Sequence, residues 1–260
     1  MAEERQNIME ELKPDVKNAF NVEDYIFFYK DRINEKHTVA EVDFIIDKLG
    51  LNENSKILDL ACGHGRHTNL LALKGFNVIG FDSSEGFLEI GKNAAKDKNA
   101  DVEYVSGDMR ELTYRNEFSA TLMIFTAFGY FSDPENLKVM KNINRGLKKN
   151  GMLCFDILNR DYMLKDFPKT AICDLGENIM IDRMSFDTKA GIFLNRRIII
   201  RNGKRRDAPY AVRMYNYNEI KELLSKAGMK IEEVFGGYDK SDFSSESRRM
   251  VLIAQKEREI

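Results

Sequence analysis

A 260-residue chain with 40 basic and 42 acidic residues carries no excess positive charge with which to bind nucleic acid or an anionic membrane as its main task. Three scattered cysteines (Cys62, Cys154, Cys173) with no CxxC pair exclude a disulfide framework, and 43% hydrophobic content is ample for the core of one large α/β domain. No apolar run approaches the roughly 20 residues of a membrane span, and the N-terminus lacks the apolar stretch of a secretion signal, so the expected location is cytoplasmic.

Residues 2–13 are polar and read as frayed or helical. Residues 22–34 place Val22, Tyr25, Ile26, Phe28, Tyr29 and Ile33 at helical spacing, which predicts an amphipathic helix crowded with aromatics. A second helix over 38–49 ends at Gly50, a residue suited to a left-handed C′ position. Strands at 56–60, 77–81, 102–105, 119–125 and 151–157 then alternate with helices at 66–74, 84–97 and 134–148. That rhythm predicts a Rossmann-like, mostly parallel sheet with right-handed crossovers.

After residue 160 the rhythm changes. Segments 178–186, 192–201 and 208–217 read as antiparallel strands, with Asn202-Gly203 as a hairpin signal. A helix at 218–227 and strands at 229–235 and 248–256 follow. The expected plan is a helical lid over 1–34 and an α/β domain over 35–260. That domain holds a seven-stranded sheet with an antiparallel last strand, and an antiparallel β insertion occupies about 161–217.

The motif that carries most information is Ile57-Leu58-Asp59-Leu60-Ala61-Cys62-Gly63-His64-Gly65, a strand that breaks into a glycine turn before a helix. Such a turn brings backbone N–H groups and a helix N-terminus up to a nucleotide. A dinucleotide fingerprint needs a third glycine, and here Gly65 is followed by Arg66-His67-Thr68; the Gly-Lys-Ser/Thr of a phosphate loop is also missing. Asp82 nevertheless ends the second strand, 17 positions after Gly65, where a carboxylate meets ribose hydroxyls. The pattern fits an adenosine-like ligand with no pyrophosphate.

These residues resemble the class I S-adenosylmethionine-dependent methyltransferases, and the resemblance covers about residues 20–257. It implies that Asp59, Ala61, Gly63 and Gly65 face the methionine part of the cofactor, while Asp82 and its neighbour Ser83 bind the ribose. Ser106-Gly107-Asp108-Met109-Arg110 is similar to the family's third motif, which implies that Asp108 accepts from the adenine amino group and Met109 packs on the ring. Phe125-Thr126-Ala127-Phe128-Gly129-Tyr130-Phe131 would lie beside the transferred methyl group, and Tyr29 is a further aromatic face for the sulfonium. The terminal part from Arg213-Met214-Tyr215 onward, together with the insertion, is similar to bacterial and archaeal small-molecule members, some of which methylate sugar amines. Those sugar enzymes carry a histidine after the glycine of the fourth motif, where this chain has Tyr130.

The resemblance implies transfer of a methyl group to N or O of a small-molecule acceptor, with S-adenosylhomocysteine as product. Tyr130 is the leading residue to accept or relay the acceptor's proton, with Asp156 and Tyr215 behind it. Methylation of tRNA or protein, and a non-catalytic S-adenosylmethionine binder, are the alternatives. Asp59 and Asp108 have plain structural readings as a turn anchor and a helix cap, and Phe125 as core. His64 and His67 lack a third ligand nearby, so no metal is expected; the basic run 201–206 reads as a solvated turn. A monomer or a homodimer is expected, without membrane partners.

Overall fold

A computed structural model describes residues 16–260; the sequence expectation for residues 2–13 falls outside the described residues. Three helices open the fold: α1 (Val16–Ala19), α2 (Val22–Tyr29) and α3 (Glu35–Leu49). The helix expected over 22–34 is therefore shorter. Arg32 and Ile33 both donate to the Tyr29 carbonyl in a turn, at 2.8 and 3.1 Å, and Asn34 accepts from the His37 N–H at 3.0 Å to start α3. Gly50 ends α3 in the left-handed conformation the sequence predicted, at φ 58°.

The α/β body follows as β1 (Lys56–Leu60), α4 (Arg66–Leu73), β2 (Asn77–Asp82), α5 (Glu85–Asp97), β3 (Glu103–Ser106), β4 (Phe118–Met123), α6 (Asp133–Gly146) and β5 (Leu147–Leu158). After the insertion it is completed by α8 (Tyr217–Lys226), β11 (Met229–Phe235) and β12 (Arg249–Lys256). The sheet order is β11-β12-β5-β4-β1-β2-β3, with β12 antiparallel to both its neighbours and the other pairs parallel. This is the expected Rossmann-like seven-stranded sheet.

Central strands of such a sheet are covered on both faces, so they read as nearly continuous apolar runs. Leu58 and Leu60 pack with Phe118, Phe155 and Ile220 under α6 and α8; Ile57, Leu122 and Val251 pack with Val42, Ile45 and Leu71 under α3 and α4. Each buried aliphatic side chain contributes about 1.5–3 kcal/mol. The chain moves outward through β1, β2 and β3, then returns to lay β4 on the other side of β1. The crevice outside the carboxyl ends of β1 and β4 is the topological switch point, the place where ligands bind in open α/β sheets.

Between β5 and α8 the chain forms α7 (Arg160–Lys165) and a second, antiparallel sheet: β6 (Thr170–Leu175), β7 (Asn178–Asp187), β8 (Ile192–Arg201), β9 (Lys204–Asp207) and β10 (Tyr210–Arg213). The turn read from the sequence is present, with Asn202-Gly203 at φ 52° and 71°, and a second turn joins β7 to β8 with Gly191 at 66°. Two strands, β6 and β9, were not expected. β6 has an exposed, polar-interrupted sequence with little alternation to betray it, and β9 is a basic segment. The strand expected over 208–217 is confined to β10, because Asn216 caps α8 by accepting from the Glu219 N–H at 2.9 Å. No helix among the described residues is long and apolar enough to cross a membrane.

Candidate functional site

The glycine turn after β1 is held by its own carboxylates. Asp82 at the end of β2 accepts from the Gly63 N–H and the Ser84 N–H, both at 2.8 Å, and so fixes the loop against the strand beside it. Burial raises its carboxyl above the ordinary value, although these backbone donors pull the other way. Asp59, almost fully buried in β1, accepts from the Thr68 hydroxyl at 2.6 Å and ties the strand to the first turn of α4. Gly63 (φ 56°) has open space where a side chain would stand.

Behind the loop lies a slot that sequence reasoning missed. The Tyr104 ring fills it and donates its hydroxyl to Asn69 at 2.6 Å. A Cβ at Gly80 or Gly91 would come within 2.7 or 2.8 Å of that ring, and Gly65 faces the same hydroxyl. These glycines are needed because one tyrosine packs among them.

The end of β4 is strained and braced. Phe125 and Thr126 have φ of 68° and 62°, a conformation costly for residues with a Cβ. Asp156, fully buried in β5, accepts from the Phe125 N–H at 2.5 Å, from the Tyr238 hydroxyl at 2.8 Å and from the Arg249 guanidinium. The expectation that Asp156 takes a proton from the acceptor is corrected: three donors occupy it, and it lies behind the cavity lining. Arg66 and Arg249 stand against the Phe125 ring at 5.4 and 5.2 Å.

Arg66 also pairs with Glu41, which accepts from or shares a proton with His67 Nε2 at 2.8 Å. Burial alone would raise the Glu41 carboxyl, but hydrogen bonds and charge from His67 and Arg66 outweigh it and hold the group at about 2. This pairing is the place of His67. Among the described residues no cluster of histidine, cysteine or carboxylates suits a metal ion.

Helix α2 lies across the loop and presents aromatic rings to it. Tyr25 stacks on Tyr29 (4.8 Å, 15°) and meets Phe87 edge-on at 5.2 Å, with His64 at 6.4 Å. Burial, with Arg66 and His67 nearby, depresses His64 to about 4 and leaves it uncharged near neutral pH. Phe20, just after α1, meets Tyr130 edge-on at 5.7 Å and Tyr210 at 5.4 Å. Burial pushes the Tyr130 hydroxyl well above the ordinary tyrosine value, with Tyr210, Tyr29 and Tyr25 adding to it. Tyr215 is raised by burial as well; its hydroxyl donates to Asp133 at 2.9 Å.

The basic run 201–206 is exposed over 202–205 around its turn, as expected from sequence, but its two flanking arginines also form a clasp for α2 that was not expected. Arg201 and Arg206 hold the two oxygens of the buried Asp24 at 2.9 and 2.5 Å. The other side of α2 packs Phe28 against Met180, Ile199 and Ala208 of the second sheet.

One face of that sheet completes the site. Along β8 the residues Phe193, Asn195, Arg197 and Ile199 share a face by the two-residue period of a strand. Asn195 is opposite Met184 and Tyr210, and Arg197 opposite Asp182. Arg197, 3% exposed, holds Asp182 through Nε at 2.7 Å and Nη2 at 3.1 Å, donates to the Tyr29 hydroxyl at 2.9 Å, and sits 5.0 Å from the Tyr210 ring centre.

All of this surrounds one cavity of about 460 Å³. It reaches from the glycine turn and the end of β4, under α1 and α2, to the face of the second sheet. Of the residues the sequence singled out, Tyr29, Asp59, Ala61, Gly63, Asp82, Ser83, Met109, Phe125 and Tyr130 line it together. Gly65 and Asp108 do not. Gly65 turns the chain behind the lining at φ 74°. The Asp108 carboxylate accepts from the Arg110 backbone N–H at 2.8 Å and from its guanidinium at 2.6 Å, the capping role left open by the sequence. Sequence reasoning missed Arg66, Arg197, Asn195, Asp182 and Arg249. The β8 pair sits in the consecutive polar run Asn195-Arg196-Arg197, which shows no alternation that could have singled it out.

Fold and site point to a class: the seven-stranded sheet and the glycine turn have the form found in class I S-adenosylmethionine-dependent methyltransferases. A family model described as "Methyltransferase domain" matches residues 57–151, from β1 into β5. The chain is 28% identical to YqeM of Bacillus subtilis over 217 residues, 81% of this chain and 87% of that one. Its fold matches the crystal structure of an S-adenosylmethionine-dependent methyltransferase from Clostridium acetobutylicum with a TM-score of 0.77 at 22% identity, covering 91% of this chain and 98% of the other. The S-adenosylmethionine-bound structure of CalS10, an amino pentose methyltransferase from Micromonospora echinaspora, matches with a TM-score of 0.66 at 18% identity, covering 89% and 96%.

The residues fit the cofactor of that class. Arg66 Nη2 is buried at the cavity without a hydrogen-bond partner, as a carboxylate-binding donor would be before its ligand arrives. The space in front of Gly63 and the carboxylate of Asp82 complete a cradle with an anionic side and a cationic end.

Proposed function

We propose that the protein transfers a methyl group from S-adenosylmethionine to N or O of a small-molecule acceptor. The observation that carries this reading is the single cavity that joins the glycine turn to the second sheet beneath α2. A donor seated on the turn and an acceptor seated on the sheet would meet inside it, shielded from water. When bound, S-adenosylmethionine would supply a sulfonium methyl: the bond from the acceptor atom to carbon would form as the S–CH₃ bond breaks, the electron pair would return to sulfur, and the proton displaced from the acceptor N or O would pass to solvent water.

The chain's own groups position and shield. Asp82 would accept the ribose hydroxyls, Met109 would pack beside the adenine, and Arg66 Nη2 would donate to the methionine carboxylate. Asp108 would reach the adenine amino group only by leaving Arg110. Uncharged His64 puts no cation beside a sulfonium, and the rings of Tyr25, Tyr29 and Tyr130 offer it π faces. Holding the nucleophile in line with the breaking bond can supply roughly 7–11 kcal/mol of the barrier. Tyr130 stays a neutral phenol near pH 7, so its role is to hydrogen-bond and orient the nucleophile rather than to remove a proton as a phenolate. α1 and α2 act as the lid, clasped by Asp24 to the second sheet.

The test uses methyl-labelled S-adenosylmethionine with a metabolite extract, total tRNA and denatured protein in parallel. Label in the metabolite fraction supports the reading. Label confined to tRNA or protein moves the acceptor to those classes, and tight S-adenosylhomocysteine binding with no labelled product identifies a non-catalytic binder.

A further inference from the structure

Among the described residues, the second sheet presents to the cavity one buried acceptor atom without a hydrogen-bond partner; the one buried donor in that condition, Arg213 Nε, faces the Asp133 carboxylate at 3.3 Å. Asn195 is fully buried; its Nδ2 donates to the Tyr210 hydroxyl at 3.1 Å, while Oδ1 has no partner. Buried side-chain oxygens are rarely left in that condition, because desolvation is then uncompensated by any hydrogen bond. Asn195 lines the cavity, so a ligand can repair the deficit there. The ligand group must be a donor, since Oδ1 only accepts.

The charges around Asn195 say what else the ligand can carry. Arg197 is occupied by Asp182 in a two-point ion pair, with Tyr29 on its remaining Nη2 side. Arg213, on β10 at the rim of this side, is held by Glu219 at 2.7 Å and Asp133 at 3.3 Å. Both cations that the second sheet turns to the cavity are thus neutralised by carboxylates. A phosphate or carboxylate on the acceptor would be buried there without a countercharge, at a cost several times that of a lost neutral hydrogen bond. The rest of the wall is Phe193, Met184, Val212 and the rings of Tyr130 and Tyr210.

From this we infer that Asn195 is a specificity-determining residue. Its Oδ1 accepts from an N–H or O–H of the acceptor, and the acceptor is a compact amine or alcohol that bears no phosphate or carboxylate at that end. The inference rests on the methyl-transfer reading and narrows its substrate class.

A metabolite extract split on an anion-exchange resin at pH 8 provides the probe, with methyl-labelled S-adenosylmethionine as donor and S-adenosylhomocysteine binding as the control. Label should appear in the unretained fraction. For the labelled compound Asn195→Leu should raise KM about tenfold or more while kcat and S-adenosylhomocysteine affinity change little, because one buried hydrogen bond to the acceptor is lost. Asn195→Ser, which keeps a neutral accepting oxygen, should restore part of the KM; a residue with a merely structural role would shift kcat, KM and cofactor affinity together. Label only in the retained, anionic fraction, or a KM indifferent to Asn195→Leu, overturns the inference and leaves methyl transfer standing. No label in either fraction overturns both.

Discussion

At the scale of single residues, the site is built from charged groups whose protonation is set by burial and partners. His64 is depressed from 6.5 to about 4 and Glu41 from 4.5 to about 2. For a histidine with a lowered folded value, the unfolded chain takes up the proton first, so stability falls as pH drops from 6.5 towards 4. For a carboxylate with a lowered folded value, the stabilisation is present above 4.5 and is lost as pH falls towards 2. Both act in the same direction, so acid should destabilise the protein in two successive windows. Replacing His64 by Asn should flatten the loss of Tm between pH 7 and pH 4, a difference of up to about 3 kcal/mol. Replacing Glu41 by Gln should flatten only the lower window. Thermal melts across pH check both, and superimposable wild-type and His64→Asn curves would refute the first. Asp82 carries a separate expectation: its loss removes ribose contacts as well as the Gly63 anchor. Asp82→Ala should weaken S-adenosylhomocysteine binding by roughly 10–100-fold in calorimetry, as for hydrogen bonds to a charged group.

Elements show what was legible in the sequence and what was not. Several parallel strands could be read because they are apolar runs stopped by a glycine turn, and β1 with Asp59 and Gly63, or β2 with Asp82, placed the glycine-turn end of the cavity directly. The acceptor end was opaque. Arg197, Asn195 and Asp182 acquire meaning only when β7 and β8 pair, and no local pattern announces that register. The clasp made by Arg201 and Arg206 was missed for the same reason: their partner Asp24 lies 177 residues away from Arg201 in sequence. Distance in sequence also hid the role of Asp156, whose donors come from three separate segments.

The clasp gives a prediction at this scale. With Asp24 replaced by Ala, two arginines lose their shared carboxylate and α2 loses its tether to the second sheet. Amide exchange in α2 should accelerate and S-adenosylhomocysteine affinity should fall about tenfold, because breaking a largely buried ion pair strands its partners. Unchanged exchange in α2 would remove the clasp from the account of the lid.

Among the described residues two sheets flank the cavity between them, and this fixes how ligands couple to stability. The seven-stranded sheet has its core on both faces and stands without the ligand, whereas α1 and α2 pack on rings that also face the cavity. A ligand that fills the glycine-turn end should therefore stabilise unevenly. S-adenosylhomocysteine at a hundred times its Kd stabilises a folded protein by about 2.7 kcal/mol, whichever contacts supply the affinity. Exchange protection should concentrate in the turn after β1, in α2 and at the end of β4. The exposed β6 edge, far from the lining, should remain as it was. An acceptor bound afterwards should extend protection to β7, β8 and β10, because their shared face closes the other end of the same cavity. If S-adenosylhomocysteine alone protected all of these strands equally, cofactor and acceptor would not occupy separate ends, and the division of labour between the two sheets would fail.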